Sequence, residues 1–253
     1  MDQTVPETPS LIASARNFWN ERHSRQGFFL ATAELLAAIL EFIRDSTPAR
    51  LRTRFGDADY DWDHRVNTTS GAVGWRDRLF GVLHSPYQPT EPALFREMIE
   101  GLQQNTGINL SEFTFVDLGS GKGRTLLMAS NYPFRRIVGV ELLPSLHRIA
   151  EQNLGQYKNS SQQCSAIQTL CSDATAFVFP EEPILLYLFN PFPESGLRKT
   201  VQNLENSLRE HPRTAFVLYH NPLLEHVLSE QAFMKKIAGT QQYSIFATVR
   251  DRA

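Results

Sequence analysis

A short apolar run that turns abruptly on glycine constrains this chain more than any other stretch. Phe115-Val-Asp-Leu-Gly-Ser-Gly-Lys-Gly-Arg124 reads as a buried strand entering a glycine turn and then a helix. Gly119, Gly121 and Gly123 alternate there with Ser120 and Lys122. Glycine tolerates positive φ and lets a ligand come against the main chain, while the following helix offers unpaired N–H groups to a polar or anionic group. The turn is suited to holding something without saying what, because glycine turns after strands serve nucleotide sites and plain tight turns alike.

The surrounding pattern supplies the context. Strands are predicted at 113–118, 137–141, 166–170, 184–189 and 215–219. Helices are predicted at 122–131, 145–157, 196–209 and from about Pro222, and two last strands at 233–237 and 243–250 flank Gly239-Thr-Gln-Gln242. Short apolar strands separated by helices form a parallel sheet covered on both faces, and a closing hairpin makes one strand antiparallel. The expected fold is α/β, a doubly wound, mostly parallel seven-stranded sheet with a C-terminal antiparallel strand.

Residues 1–85 read as an N-terminal helical extension that covers the domain spanning 86–253. Helices are expected from Leu11 to His23, with Ser10 as cap, and from Phe28 to about Arg44. The second is apolar nearly all round and is read as buried. Lying across the main core is the favoured arrangement, and a homodimer through the N-terminal helices is the other. Its apolar stretch is too short, and too charged at Glu34 and Glu41, to span a membrane. Arg50, Arg52 and Arg54 fit a solvated face, with a contact for an acidic partner as the lesser alternative. Asp57-Ala-Asp-Tyr-Asp-Trp-Asp63 fails the calcium-loop template, because Trp62 takes the place of the turn glycine and Thr68 that of the bidentate glutamate. The segment from Tyr60 to Leu83 reads as an ordered loop or short helix that could act as a lid. Thr90 is the expected cap of a helix running to about Gln104.

Composition narrows the partners. A net charge of −2 gives no global attraction to nucleic acid or to an anionic membrane, so neither is expected as a partner. Two cysteines, Cys164 and Cys171, are too few for a disulfide framework, and the start of the chain lacks the order of a signal peptide, so a cytoplasmic location is expected. The seven histidines lack metal spacing, and no metal is expected.

In a doubly wound sheet, ligands sit at the carboxyl ends of the strands. Asp117, Glu141, Asp173, Asn190 and Asn221 stand at or just after five successive strand ends. Glu141 could accept two ribose hydroxyls or act as a solvated cap before Pro144. Asp173 could accept from an adenine amine, with Ala174 and Phe177 near the ring, or cap a helix. The Walker phosphate loop fails because Gly123, not Ser or Thr, follows Lys122, and the Gly-x-Gly-x-x-Gly spacing of dinucleotide sites is missed. Asp117 would also set a carboxylate beside a pyrophosphate. It suits instead a ligand carrying an ammonium, such as the methionine part of S-adenosylmethionine, whose carboxylate Arg124 could help to hold.

Val116-Asp-Leu-Gly-Ser-Gly-Lys-Gly-Arg124, Gly139-Val-Glu141 and Ser172-Asp-Ala174 resemble the successive motifs of class I S-adenosylmethionine-dependent methyltransferases. The resemblance covers about Pro86 to Ala253 and implies S-adenosyl-L-methionine as cofactor. It implies Thr90, Asp117, Gly119, Ser120, Gly121, Gly123, Arg124, Glu141, Leu142, Asp173, Ala174 and Asn190 as its contacts. Pro86-Tyr-Gln-Pro-Thr90 is similar to the entry of protein-lysine methyltransferases related to the ATP synthase c-subunit enzyme. Leu188-Phe-Asn-Pro-Phe192 resembles instead the Asn-Pro-Pro-Phe/Tyr motif of amino-group methyltransferases, one proline short. That likeness implies that Asn190 and Pro191 position an acceptor nitrogen and Phe192 flanks it, on a protein side chain or a small molecule. A lysine acceptor would need help losing its proton, costing roughly 4.6 kcal/mol at pH 7 for a pKa near ~10.4. Tyr87, Glu91 and His220 are the candidate bases. A non-catalytic cofactor-binding module and a nicotinamide oxidoreductase are the rival expectations.

Overall fold

Three strands are buried along their whole length, as a sheet covered on both faces requires: β1 (Thr114–Leu118), β4 (Ile184–Leu188) and β5 (Ala215–His220). They belong to a seven-stranded sheet that also holds β2 (Arg136–Glu141), β3 (Ile167–Cys171), β6 (Met234–Gly239) and β7 (Tyr243–Thr248). The structure is a computed structural model and describes residues 11–45, 58–69 and 88–249. Strand order is β3-β2-β1-β4-β5-β7-β6. The pairs from β3 to β5 are parallel, and β7 runs antiparallel to both β5 and β6. The fold is the mostly parallel α/β sheet expected, with β7 as the antiparallel strand. The chain moves outward from β1 through β2 to β3, then returns to β4 on the other side of β1, so strand order reverses between β1 and β4. That is where a doubly wound sheet opens a crevice.

The described residues separate into two compact units with the boundary between Pro89 and Thr90. In the second unit the first helix is α4 (Pro92–Thr106), begun by Pro92 and ended at Gly107, whose left-handed backbone lets its N–H bond Gln103 O. Leu94, Phe95, Met98, Ile99 and Leu102 form its buried stripe. Its N-cap is Glu91 without a side-chain bond, so the cap expected at Thr90 is corrected. The Thr90 hydroxyl lies 2.7 Å from Tyr187 Oη and is committed to the sheet.

The helix after the glycine turn, α5 (Arg124–Ala129), is shorter than the predicted 122–131. Gly123 adopts φ 82 and keeps Lys122 inside the turn. Helices α6 (Pro144–Gln156), α7 (Glu194–Glu210) and α8 (Glu225–Ser229) follow β2, β4 and β5.

In the first unit, α1 (Leu11–Gln26) and α2 (Phe28–Asp45) form a hairpin about Gly27 at φ 85. Trp19 stacks on His23 at 4.6 Å and donates through Nε1 to Thr32 Oγ1 at 3.2 Å, while Arg22 pairs with Glu34 at 2.6 Å. The expectation of a buried α2 is corrected: Phe29 is 87% exposed and Leu40 65%. A two-helix hairpin covers one stripe of each helix, and α2 is apolar beyond that stripe. In α3 (Ala58–His64) the Asp61 carboxylate accepts from Thr68 N at 2.7 Å, Thr69 N at 2.8 Å and the Thr68 hydroxyl. Those bonds spend the carboxylate on chain geometry. Ser10, Arg50, Arg52, Arg54, Asp57, Pro86 and Tyr87, and the rest of the lid segment from Ser70, lie outside the described residues. Among the described residues no helix is long and apolar enough to cross a membrane.

Candidate cofactor and acceptor site

The crevice at the reversal is floored by the glycine turn. Gly119 N and Ser120 N both donate to Val140 O, at 2.8 and 3.0 Å, which ties the turn to the end of β2. Gly123 N closes it onto Ser120 O at 2.8 Å. Gly119 adopts φ 89, and a Cβ there would stand 2.6 Å from Pro191 Cβ. The turn and the Asn190-Pro191 segment after β4 therefore touch across the crevice. Gly119→Ala is expected to cost about 1 to 3 kcal/mol from left-handed strain and the displacement of Pro191. Thermal denaturation measures this, and an unchanged midpoint would contradict the contact.

Asp117 ends β1 just before the turn and is 2% exposed. Burial, reinforced by the negative Glu141 and opposed by a hydrogen bond from Thr125, pushes its carboxyl up to about 8. Glu141 ends β2, where its Oε2 accepts from Gly121 N and its Oε1 from Leu143 N, both at 2.8 Å. Ser120 Oγ is buried with no hydrogen-bond partner. A buried hydroxyl left so is a group waiting for a partner.

The other expected cofactor contacts are spread around this centre. Arg124 is buried in the first turn of α5, and Lys122 O accepts from Asn153 Nδ2 at 2.9 Å. Leu142 is half-buried beside Glu141. Asp173 is exposed, and its Oδ1 accepts from Thr175 N at 2.8 Å, capping the short 3-10 turn that begins at the buried Ala174. Among the described residues no group of three or more His, Cys, Asp or Glu side chains could hold a metal ion.

The expected acceptor residues form a strained corner. Asn190 and Asn221 adopt φ 46 and 48, a left-handed conformation that asparagine tolerates better than bulkier residues. Asn190 Nδ2 donates to Asn221 O at 2.7 Å, and Tyr219 Oη donates to Asn190 Oδ1 at 2.9 Å. The amide thus clasps the ends of β4 and β5 together. Phe192 packs back over α7: a Cβ on Gly196 would stand 3.1 Å from Phe192 Cβ. Asp117, the glycine turn, Glu141, Asn190 and Pro191 are brought together at the carboxyl ends of β1, β2 and β4, whereas Phe192 turns onto the start of α7.

One group of residues was missed from the sequence as a unit. Tyr187 Oη lies 2.7 Å from Thr90 Oγ1 and 2.8 Å from His220 Nδ1, and all three residues are buried. Burial holds the Tyr187 phenol well above its ordinary range and pushes His220 down to about 4. The signal was a tyrosine in the otherwise aliphatic Ile-Leu-Leu-Tyr-Leu188, since a buried Tyr hydroxyl calls for a partner.

No family model matches the sequence, and no curated protein matches it. Solved structures do resemble the fold. A ribosomal protein L11 methylase from Lactobacillus delbrueckii subsp. bulgaricus is 14% identical, over 66% of this chain and 88% of its own, with a TM-score of 0.45. An RNA methyltransferase from Salinibacter ruber, in complex with S-adenosyl-L-homocysteine, is 18% identical over 64% and 92%, with a TM-score of 0.40. A precorrin-6y C5,15-methyltransferase from Geobacter metallireducens GS-15 is 13% identical over 64% and 90%, with a TM-score of 0.45.

Proposed function

We propose that this protein is an S-adenosyl-L-methionine-dependent methyltransferase acting on a nitrogen of a protein side chain or a small molecule. The observation that carries this reading is the carboxyl pair at the crevice, Asp117 buried at the end of β1 with Glu141 beside it. Two acids so close destabilise each other, and a cationic ligand relieves them where a pyrophosphate would add to the repulsion. The residues present fit such a group: a carboxylate for an ammonium, Glu141 at the end of β2 for the ribose hydroxyls, the partnerless Ser120 hydroxyl, and a turn with no Cβ at Gly119. Asp173 and Ala174 would take the adenine end.

When bound, the cofactor supplies an electrophilic methyl on a sulfonium. The chain's own task is to align an acceptor lone pair and exclude water. Asn190 and Pro191, braced by Tyr219 and packed against Gly119, are the residues we assign to that alignment. A lysine is one such nitrogen, the acceptor that the resemblance of Pro86–Thr90 implies.

One observation favours a second reading, that of a cofactor-binding module without catalysis: the Asn190 amide is already bonded at both ends and Phe192 faces α7. Calorimetry with S-adenosyl-L-methionine tests the cofactor, with Asp173→Ala expected to weaken binding about 10-fold if its carboxylate meets the adenine amine. Incubation with methyl-labelled cofactor and cell extract separates the two readings. Binding without label reaching any protein, nucleic acid or small molecule would favour the module.

A further inference from the structure

We infer that His220 presents its Nε2 to the acceptor side of the transferred methyl, fixed there by the hydrogen-bond chain through Tyr187 to Thr90. The inference rests on the methyltransferase reading above and adds a residue to its acceptor site.

Placement comes first. Asp117 pairs in register with Tyr187 across the parallel β1–β4 ladder, so their side chains share one face of the sheet. His220, at the end of the next strand β5, meets Tyr187 on that face. Three polar groups thus run across three adjacent strands, from the carboxylate assigned to the ligand ammonium toward the Asn190 corner. His220 is also bound into that corner: Phe189 stacks on its ring at 3.8 Å and 27°, and the carbonyl of the next residue, Asn221, accepts from Asn190 Nδ2.

Orientation comes next. Tyr187 holds Nδ1, Phe189 holds the ring face, and Nε2 is left without a partner among the described residues. Either atom of the Thr90–Tyr187 pair can donate, so the chain can run from Nδ1–H to Tyr187 Oη and from Tyr187 O–H to Thr90 Oγ1. That direction leaves a lone pair on Nε2, able to accept from the N–H of an amine. Burial keeps the ring neutral at pH 7, so the lone pair is not lost to a solvent proton. Tyr187 and Thr90 act through the ring, as positioning residues.

A plainer role for the trio is a buried pin that ties the start of α4 to the sheet. The two roles differ in what they do to a ligand amine. Sinefungin, an adenosyl amino acid with a primary amine in place of the sulfonium methyl, is the probe, and S-adenosyl-L-homocysteine, which has nothing there, is the reference. Calorimetry at pH 7 on the full chain should give a wild type that prefers sinefungin. In His220→Ala that preference should fall by about tenfold or more while affinity for S-adenosyl-L-homocysteine holds. His220→Gln, which keeps a hydrogen-bonding atom near the Nε2 position, should retain most of it, and Tyr187→Phe, which frees the ring, should lose part.

An undiminished preference in His220→Ala, or a wild type that does not prefer sinefungin, would overturn the inference and leave the cofactor assignment standing. A wild type that binds neither ligand would sink both. If His220→Ala does not fold, loss of preference in Tyr187→Phe with rescue in His220→Gln decides in favour, and equal preference in those two variants and the wild type decides against.

Discussion

Asp117→Asn is expected to make the ligand-free protein more stable at pH 8 and to weaken S-adenosyl-L-methionine binding about 10- to 150-fold. Both effects follow from one buried carboxyl. With its folded pKa raised to about 8, Asp117 holds a proton that the unfolded chain releases near pH 4. The stability it contributes is complete below about pH 4 and drains away as pH rises toward 8. The loss is on the order of 5 kcal/mol, and asparagine, which has no proton to lose, escapes it. Urea denaturation of both proteins at pH 5 and pH 8 measures the difference. Equal pH dependence in the two would show that Asp117 is ionised in the free protein.

Binding should follow the same proton. A ligand ammonium needs the ionised form, so affinity should rise about tenfold from pH 6 to pH 7 in the wild type. Asp117→Asn should lack that rise.

Glu141→Ala carries the second large effect, because this side chain serves the fold before it serves any ligand. Its two oxygens take the N–H groups of Gly121 and Leu143, and alanine would strand both donors beside the crevice. The cost is about 1 to 3 kcal/mol for each donor left unpaired, offset in part by relief of the repulsion on Asp117. Cofactor affinity should fall about 10- to 150-fold as well. Glutamine is not a mild replacement, since its NH2 would face one of the two N–H groups. Denaturation and calorimetry on both variants test this, and a Glu141→Gln protein as stable as wild type would contradict the double-acceptor geometry.

The sheet was legible because its strands are nearly pure apolar runs broken by helices of the right length. Ile184–Leu188 and Ala215–His220 are examples. The acids Asp117 and Glu141 were legible as charges that close apolar runs. The wiring of those residues was not. Glu141 looked like a hydroxyl acceptor, and only the fold shows that it also braces Gly121, across a sequence separation that no local pattern records. Thr90 read as a helix cap because cap chemistry is local, whereas its partner Tyr187 is 97 residues away. The exposed side of α2 was missed because hydrophobicity all round a helix predicts burial without saying what does the burying.

The last strand enters the sheet between β5 and β6 and not at its edge, with Tyr243 in register with His220 and Gln242 O accepting from Asn221 N at 2.6 Å. For a nascent chain leaving the ribosome, the glycine turn and the two acids are made long before this strand is. β6 has no place in the sheet until Tyr243–Thr248 has been synthesised and has slotted home. Residues that would hold a nucleoside can thus meet early, while the His220–Asn221 corner is locked only once β7 has been made. Vectorial synthesis thereby separates in time the turn and acids proposed to bind from the corner proposed to react.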